Sequence, residues 1–542
     1  MNFQLILLLI KKKLMNHISN SIKTTLLLCL AFSIVVFSSC STYKILPLDS
    51  TYLDEAKKHL HYLASDDMRG RNTPSPELEK SAEYIAGKFK EYGLEPVNGS
   101  VFHTYNLQRT KLGDNNTFVI DLGVERISMQ LHQDYTLLGQ STSCSINNAE
   151  LVFVGYGITA PEYGWDDYKG KNVTNKIVVM VSGEPESNDS TFFAGKRFTR
   201  YTFNNTKAKI ALKNGAAGMI VLTNPKTDAR LRRNTAMHID SNQTGTSLRY
   251  INPNAKPFAA ISGNNKVIEI LFSTNDSLKK IVMVIDSLRS SNSFSMNVKS
   301  TITINYNNEK VPVKNVMAMI KGTEDNGEYI VIGGHYDHVG VHTDPKKDSA
   351  GVQQDSIYNG ADDNASGTTG VLLAAKALAL MKQKPKRSIV FVCFSGEEKG
   401  LLGSLAFTSE CPLDINKCVA MLNMDMIGRN NPDSLSLGGG SRSPEFVTLT
   451  TELNKSIDKP FILAENIEDF FFRSDQANFA SKRIPVLFYF SGMHKDYHQP
   501  GDEIEKISFD KLVRSAQLCA RTSWTVANLN YKLKYLPQGT EE

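Results

Sequence analysis

Cysteine is scarce in this chain of 542 residues: there are 7, and two of them, Cys29 and Cys40, fall in the N-terminal leader region. The others, Cys144, Cys393, Cys411, Cys418 and Cys519, form no CxxC pair. That argues against a disulfide-built scaffold and against a thiolate zinc site. A charge excess is also lacking. Lys+Arg number 61 against 56 Asp+Glu, a net charge of +5 with no long basic arm. Nothing in that balance favours a nucleic-acid partner. No GK[ST] string follows GYG (155–157) or GGG (438–440), so neither is a phosphate loop. No repeat is apparent. What is present is ordinary for a globular protein: 41% hydrophobic and 22% charged residues exclude wholesale disorder, a collagen-like rod and a many-span membrane protein. At about 150 residues per domain the length calls for two to four domains.

The N-terminus departs from that average. Residues 24–39, TTLLLCLAFSIVVFSS, follow Lys23 and run directly into Cys40. The block is shorter than the roughly 20 residues a comfortable membrane span needs. A second apolar run at 5–10 precedes Lys11, Lys12 and Lys13, and Met15 is an alternative start. With Ser38 and Ser39 before Cys40, the string resembles a bacterial lipoprotein signal, although Phe37 stands where leucine is usual. A secretory peptide and a single anchor helix are the competing readings. All three place residues 41–542 outside the cytoplasm, and the first attaches the protein to a membrane through a lipid on Cys40.

Apolar positions recur at helical spacing in 51–64 and again in 77–92, where Gly93 stops the helix. Residues 100–140 are of mixed polarity. Strands are expected at ELVFVGYG (150–157) and KIVVMVSG (176–183), and a helix leads into GAAGMIVL (215–222). IEILF (268–272) and SMNVKSTITINYN (295–307) also read as strands. From 313 the texture changes. Apolar strands at 313–322, 329–340, 387–396, 418–428 and 484–492 alternate with helices at 366–381, 397–409, 444–456 and 508–528. Continuous apolar strands between helices imply a sheet buried on both faces.

Polar groups crowd the carboxyl ends of these strands, where open α/β sheets bind their ligands. His335, Asp337 and His338 follow one strand, and Asp362 and Asp363 precede a helix. Glu397 and Glu398 follow a second strand, Asp425 a third, and Tyr497, His498 and Asp502 the last. So many close carboxylates repel one another and resist ionisation unless cations intervene. Mixed imidazole and carboxylate donors suit zinc better than calcium or magnesium. In Glu397-Glu398 one carboxylate can bind metal while its neighbour moves a proton. Asp337, two residues from His335, can accept the imidazole N–H and fix its tautomer.

HYDH (335–338), NGADDNASG (359–367), FSGEEKGLLGS (394–404), NMDMIG (423–428) and YHQPGD (497–502) resemble the M28 family of co-catalytic zinc aminopeptidases. The resemblance covers about 313–530. It implies an α/β fold, a phosphorylase/hydrolase-like mixed sheet flanked by helices. It also implies two Zn2+ per chain, one held by His335, Asp363 and Glu398 and the other by Asp363, Asp425 and His498. Glu397 is then the general base, Asp337 orients His335, and Tyr497 stabilises the oxyanion. Several members carry SDHxxF where this chain reads SDQANF (474–479), so Gln476 replaces a histidine while Asp475 and Phe479 remain to shape the pocket. His494 and His338 fall near the site without an assigned role. GYGITAPEYGWDDYKGKNVTNKIVVMVSGEP (155–185) and ALKNGAAGMIVL (211–222) resemble an inserted β-rich protease-associated domain.

The resulting division is 1–40 signal peptide and lipobox, 41–144 N-terminal part of the peptidase domain, 145–310 protease-associated domain, 311–530 main part of the peptidase domain, and 531–542 tail. The substrate is expected to be a peptide with a free N-terminus, with no nucleic acid involved. A glutamate-releasing carboxypeptidase, for which Arg429 and Arg473 would offer carboxylate contacts, and a zinc glutaminyl cyclase are the alternatives. Oligomeric state (monomer or dimer) and pairing of Cys411 with Cys418 stay open.

The leader yields a direct test. Cys40→Ser is expected to release the mature protein from the membrane fraction or to block its maturation. An unlipidated wild-type N-terminus with unchanged fractionation would reject the lipoprotein reading; the several chains of a bacterial lipoprotein anchor firmly where one chain holds weakly.

Overall fold

The computed structural model describes residues 49–537 except 190, 194, 196–198, 227–246, 251–255, 343–354, 465, 466, 468 and 469. The leader with Cys40 and most of the polar loop after His335 lie outside the described residues. Among the described residues no helix is long and apolar enough to cross a membrane.

The strongest apolar runs build the centre of a mixed sheet of 9 strands. Tyr329–His335 lies parallel to Ser388–Phe394 on one side and to Cys418–Met424 on the other, and Val486–Phe490 extends the parallel set. Alternate residues of each strand face opposite cores. Ile330, Ile332, Ile389, Phe391 and Cys393 point to one, and Val331, Val390, Val392 and Phe394 to the other. Helices Ser50–Leu63, Gly367–Ala379 and Phe509–Asn528 pack together over the first face. Their starts follow local chemistry: the side chains of Asp49 and Ser508 accept the N–H of Tyr52 and Lys511, orphan donors of a first turn. Helix Pro76–Glu91 begins on Ser75 with proline in its first turn and stops before Gly93 at φ +76°, a conformation that glycine adopts without strain. Helix Leu402–Ser409 starts later than the sequence suggests, because Glu397–Leu401 forms a turn held by the N–H of Gly400 and Leu401 on the Glu397 carbonyl.

On the other side of Ser388–Phe394 the sheet turns antiparallel through Tyr306–Ile320 and Phe102–Leu112. These two strands pair from Phe102↔Val316 to Leu112↔Tyr306 and project as a two-stranded arm. At its far end the chain passes into a second sheet of 8 strands. Its centre is Cys144–Val154, Ile177–Val181, Gly218–Leu222 and Ala259–Gly263, parallel to one another; the last three are buried over most of their length, the first only from Leu151 to Val154. The architecture is therefore α/β with helix-flanked mixed sheets and a distinct β-rich insertion.

Three details differ from the sequence reading. IEILF is not a strand: it closes helix Asn265–Phe272, capped by the Asn264 side chain, with Ile268 and Phe272 buried one helical turn apart. Thr117–Asp121, Arg126–Met129 and Tyr135–Leu137, grouped by sequence with 41–144, bond into the second sheet. Ser247–Tyr250, grouped with 145–310, pairs instead with Leu107–Thr110 at the edge of the first. Alternation marks a strand but carries no information about which sheet receives it.

Candidate metal centre

Three parallel strands deliver the first donors to one sheet edge. His335 ends its strand in register with Phe394, and Gly333 is in register with Asn423. Glu397 and Asp425, which follow those neighbours, therefore emerge beside His335. Close approach at this edge requires glycine: a Cβ at Gly334 would lie 2.8 Å from the Met424 carbonyl oxygen, and one at Gly367 2.2 Å from it. Asp363 sits in the wide helical turn Ala361–Ser366. The Asp502 carboxylate accepts the N–H of Asp362 and of Asp363, each at 3.0 Å. Asn364 Oδ1 accepts the N–H of Gly367 at 2.9 Å and of Met426 at 3.1 Å, which ties this turn to the Asp425 loop.

The donors form two groups around Asp363. His335 Nε2 lies 3.3 Å from Asp363 Oδ1 and 3.5 Å from Asp425 Oδ1, with Glu397 Oε2 farther off at 3.9 Å. His498 Nε2 lies 3.1 Å from Asp363 Oδ2 and 2.9 Å from Glu398 Oε2. The pairing is thus the reverse of that implied by the resemblance: Asp425 joins His335 and Glu398 joins His498. The site fits divalent cations. His335 Nε2, Asp363 Oδ2, Asp425 Oδ1 and His498 Nε2 are buried and make no hydrogen bond of acceptable geometry, although each faces the others. Converging orphan donors of this kind are what a metal ion satisfies.

Asp337 acts differently from the expectation. Its backbone carbonyl lies 3.1 Å from His335 Nδ1, whereas its carboxylate is 3.7 Å away. The carboxylate instead accepts the N–H of Glu397 at 3.1 Å and the hydroxyl of Thr73 at 2.8 Å, and so positions the Glu397 turn. Tyr497 stacks on the His498 ring at 3.9 Å between centroids and lines the cleft with Arg473, Met426, Phe470, Phe488 and Phe490. Arg473 lies over the Phe470 ring. Two expected pocket residues are elsewhere. Phe479 is buried in the core against Phe394 and Phe407. Arg429 is held by Asp496 at 2.7 Å and Asp502 at 3.4 Å. Gln476 bridges Asn423 and the Phe471 carbonyl, a buried structural role. His494 faces Asp362 at 3.4 Å, and Asp362 accepts the Gly428 N–H at 2.7 Å. Cys411 and Cys418 are free thiols.

Sequence reasoning missed Arg71. Its guanidinium is fully buried and donates to the carbonyls of Tyr336, Leu63, Asn359 and Gly360. It therefore clamps the two loops that carry His335 and Asp363. Burial draws its pKa down to about 10, while Asp337, Asp363, Asp502 and Glu398 favour its charge. The second arginine of DDMRGRN carries no signal of that role; the neighbouring carboxylates come from distant segments.

The acids respond to one another. Burial, with Glu398, Asp425 and Asp475 nearby, holds Glu397 well above the usual carboxylate range against the opposing pull of His335. Burial disfavours charge on His498, yet the adjacent Asp363 and Glu398 carboxylates push it up to about 10. Burial pushes Asp475, whose carboxylate oxygens lack hydrogen-bond partners, up to about 7.

A helix-flanked α/β sheet whose strand ends set two imidazole–carboxylate groups around a shared aspartate is the arrangement of a binuclear metal site. Residues 315–523 match the family model described as Peptidase family M28. The chain is 28% identical over 249 residues to a probable zinc metalloprotease of Pyrenophora teres f. teres (strain 0-1), covering 40% of this chain and 49% of that protein. It is 28% identical over 238 residues to leucine aminopeptidase 1 of Pyrenophora tritici-repentis (strain Pt-1C-BFP), covering 40% and 56%. The chain thus spans about half the length of these curated relatives. Among solved structures, an aminopeptidase from Aneurinibacillus sp. strain AM-1 aligns over 90% of this chain and 96% of its own, at 21% identity and a TM-score of 0.44.

Asp475 gives a pH test on metal-free protein. Its folded pKa of about 7 exceeds the ordinary value of 3.8, so between those values the folded state binds more protons than the unfolded state. Stability must then fall as pH rises through that window. Asp475→Asn is expected to flatten the fall in urea midpoint between pH 4 and pH 8. A variant with the wild-type slope would show that Asp475 does not titrate there.

Proposed function

We propose that the protein is a dinuclear zinc exopeptidase that removes N-terminal residues from peptides. The observation that carries this reading is the shared carboxylate: Asp363 offers one oxygen to His335 and the other to His498, with Glu397 facing the same cleft as the outermost acid. Zinc bound there would supply Lewis acidity, polarising a scissile carbonyl and making water a stronger acid. His335, Asp425 and Asp363 would hold one ion, and Asp363, Glu398 and His498 the other.

Glu397 takes the proton of the attacking water and returns it to the leaving amine. Its raised proton affinity suits that task better than an ordinary surface glutamate would. Asp337 fixes the Glu397 backbone from below. Tyr497, beside His498 at the cleft, donates its hydroxyl to the carbonyl oxygen as charge develops there. The apolar wall of Met426, Phe470, Phe488, Phe490 and Met493 receives the side chain of the residue to be released. Two facts weigh against the alternatives. Arg429 is engaged by Asp496 and Asp502 and is not free to recognise a terminal carboxylate, and Arg473, though in the cleft, lies over the Phe470 ring. A single-zinc cyclase has no use for two complete donor groups.

The β-rich insertion is read as a protease-associated domain that limits which chain ends reach the cleft and supplies no reacting group. The mature chain is read as a lipoprotein held at the membrane by Cys40, facing away from the cytoplasm.

Glu397 and Glu398 separate chemistry from metal binding. Wild-type protein should retain near two zinc equivalents after mild dialysis, and a chelator should abolish turnover. Glu397→Gln should keep both ions yet lower turnover at least about 10²-fold, the lower range for general acid–base catalysis. Glu398→Gln should lose one ion, since a neutral amide is a poorer zinc ligand than a carboxylate. Full turnover in Glu397→Gln with two zincs bound would refute this mechanism.

A further inference from the structure

His338 belongs to neither donor group as the resemblance assigns them, yet it is completely buried beside one of them. It follows His335 by three residues, and its backbone N–H donates to the Arg71 carbonyl at 3.2 Å, which places its ring under the turn that bears Asp363. Its Nδ1 lies 2.7 Å from Glu398 Oε1. The other oxygen of that carboxylate, Oε2, is the one 2.9 Å from His498 Nε2. Asp363 Oδ2 is 3.9 Å from His338 Nδ1, beyond hydrogen-bond reach. The ring is also boxed in. A Cβ on Gly360, at φ +56°, would lie 2.5 Å from both Cδ2 and Cγ of His338. The imidazole therefore has little freedom to turn another edge toward the site.

We propose that His338 is a positioning residue for the second metal position. Its Nδ1–H holds Oε1 of Glu398, which would leave Oε2 for a cation held with His498 and Asp363. The inference rests on the two-metal reading above and deepens it, by assigning the outer contact that sets how one ligand binds. The physical reason is general. A carboxylate free on both oxygens swings between one-oxygen and two-oxygen coordination, and a hydrogen bond to its outer oxygen removes that freedom before the ion arrives. Ligation through Nδ1 would give up the 2.7 Å contact with Glu398, while Nε2, the other ring nitrogen, is buried without a hydrogen-bond partner.

The test is zinc affinity of the metal-stripped full chain, titrated against a competing chelator, for wild type, His338→Ala and His338→Asn. The asparagine amide can stand near the Nδ1 position and donate to Glu398; alanine cannot. His338→Ala is expected to weaken one of two zinc equivalents by about 10- to 100-fold, the usual effect of losing an outer-shell partner, and to leave the other unchanged. The unchanged equivalent reports that the variant is folded. His338→Asn is expected to restore most of the lost affinity. If the alanine variant fails to hold either ion while the asparagine variant holds both, the proposal also stands. It is overturned if His338→Ala keeps both wild-type affinities. It is equally overturned if His338→Asn is as weak as alanine, which would make the ring nitrogen itself a ligand. A wild-type chain that binds only one zinc would refute the two-metal reading and this inference with it, and the first titration reveals that before any variant is compared.

Discussion

Everything at the sheet edge follows from the cost of gathering carboxylates where water is excluded. Asp363, Glu397, Glu398 and Asp425 meet within a few ångströms, and Asp337, Asp475 and Asp502 stand just behind them. Left alone, such a group would take up protons rather than share a low-dielectric space as anions. The chain answers in three ways. Imidazoles at 335, 338 and 498 interleave with the acids. Backbone N–H groups at 362, 363 and 397 bind the supporting carboxylates. The Arg71 guanidinium brings a permanent charge to the rear of the cluster while tying its loops together through four carbonyls. The remaining imbalance is concentrated on orphan atoms that face one another, which is the form of a cation site assembled in advance.

The sheet makes this assembly possible at small conformational cost. Parallel strands of equal register end level, so residues far apart in sequence arrive together without long side chains reaching across. Where a donor is not strand-borne the fold adds a separate restraint: Asp502 and Asn364 hold the Asp363 turn, and Gly360 and Gly367 let that turn lie against His338 and the Met424 carbonyl. His498 comes from the loop after the last parallel strand and is half-exposed, with Tyr497 stacked upon it. The second donor group is thus the less enclosed of the two.

Much of this was legible in the sequence. Apolar runs alternating with helices announce the central sheet, and acidic and histidine clusters immediately after those runs announce its functional edge. What stayed hidden depended on side-chain geometry. Strands on both sides of Tyr329–His335 deliver acids, and only the side-chain geometry pairs His335 with Asp425 where the resemblance implies Glu398. Arg429 and Phe479 sit near site motifs in sequence but turn to Asp496 and to the aromatic core. Asp337 was correctly placed beside His335, but its carboxylate and its carbonyl exchange the expected tasks. IEILF misled for a simpler reason: five apolar and acidic residues fit a strand template as well as the last turn of an amphipathic helix, and only the burial of Ile268 together with Phe272 distinguishes the two. Arg71 could not be found by spacing at all, since its partners are backbone atoms.

The two-stranded arm carries a consequence for the history of the chain. The insertion leaves from Leu112 and returns at Tyr306, residues that face each other across one ladder. Neighbouring strands lie only about 4.8 Å apart, a gap that a tight turn bridges. Without the insertion this segment would close as a plain β-hairpin on the antiparallel side of the first sheet. A foreign module could be spliced into its tip without displacing a central strand or opening the sheet. Among the described residues, Ser247–Tyr250 also joins guest to host, laid along the hairpin's outer side. Acquisition at a hairpin tip leaves the strand ends of the host sheet untouched while giving selection a new surface to shape.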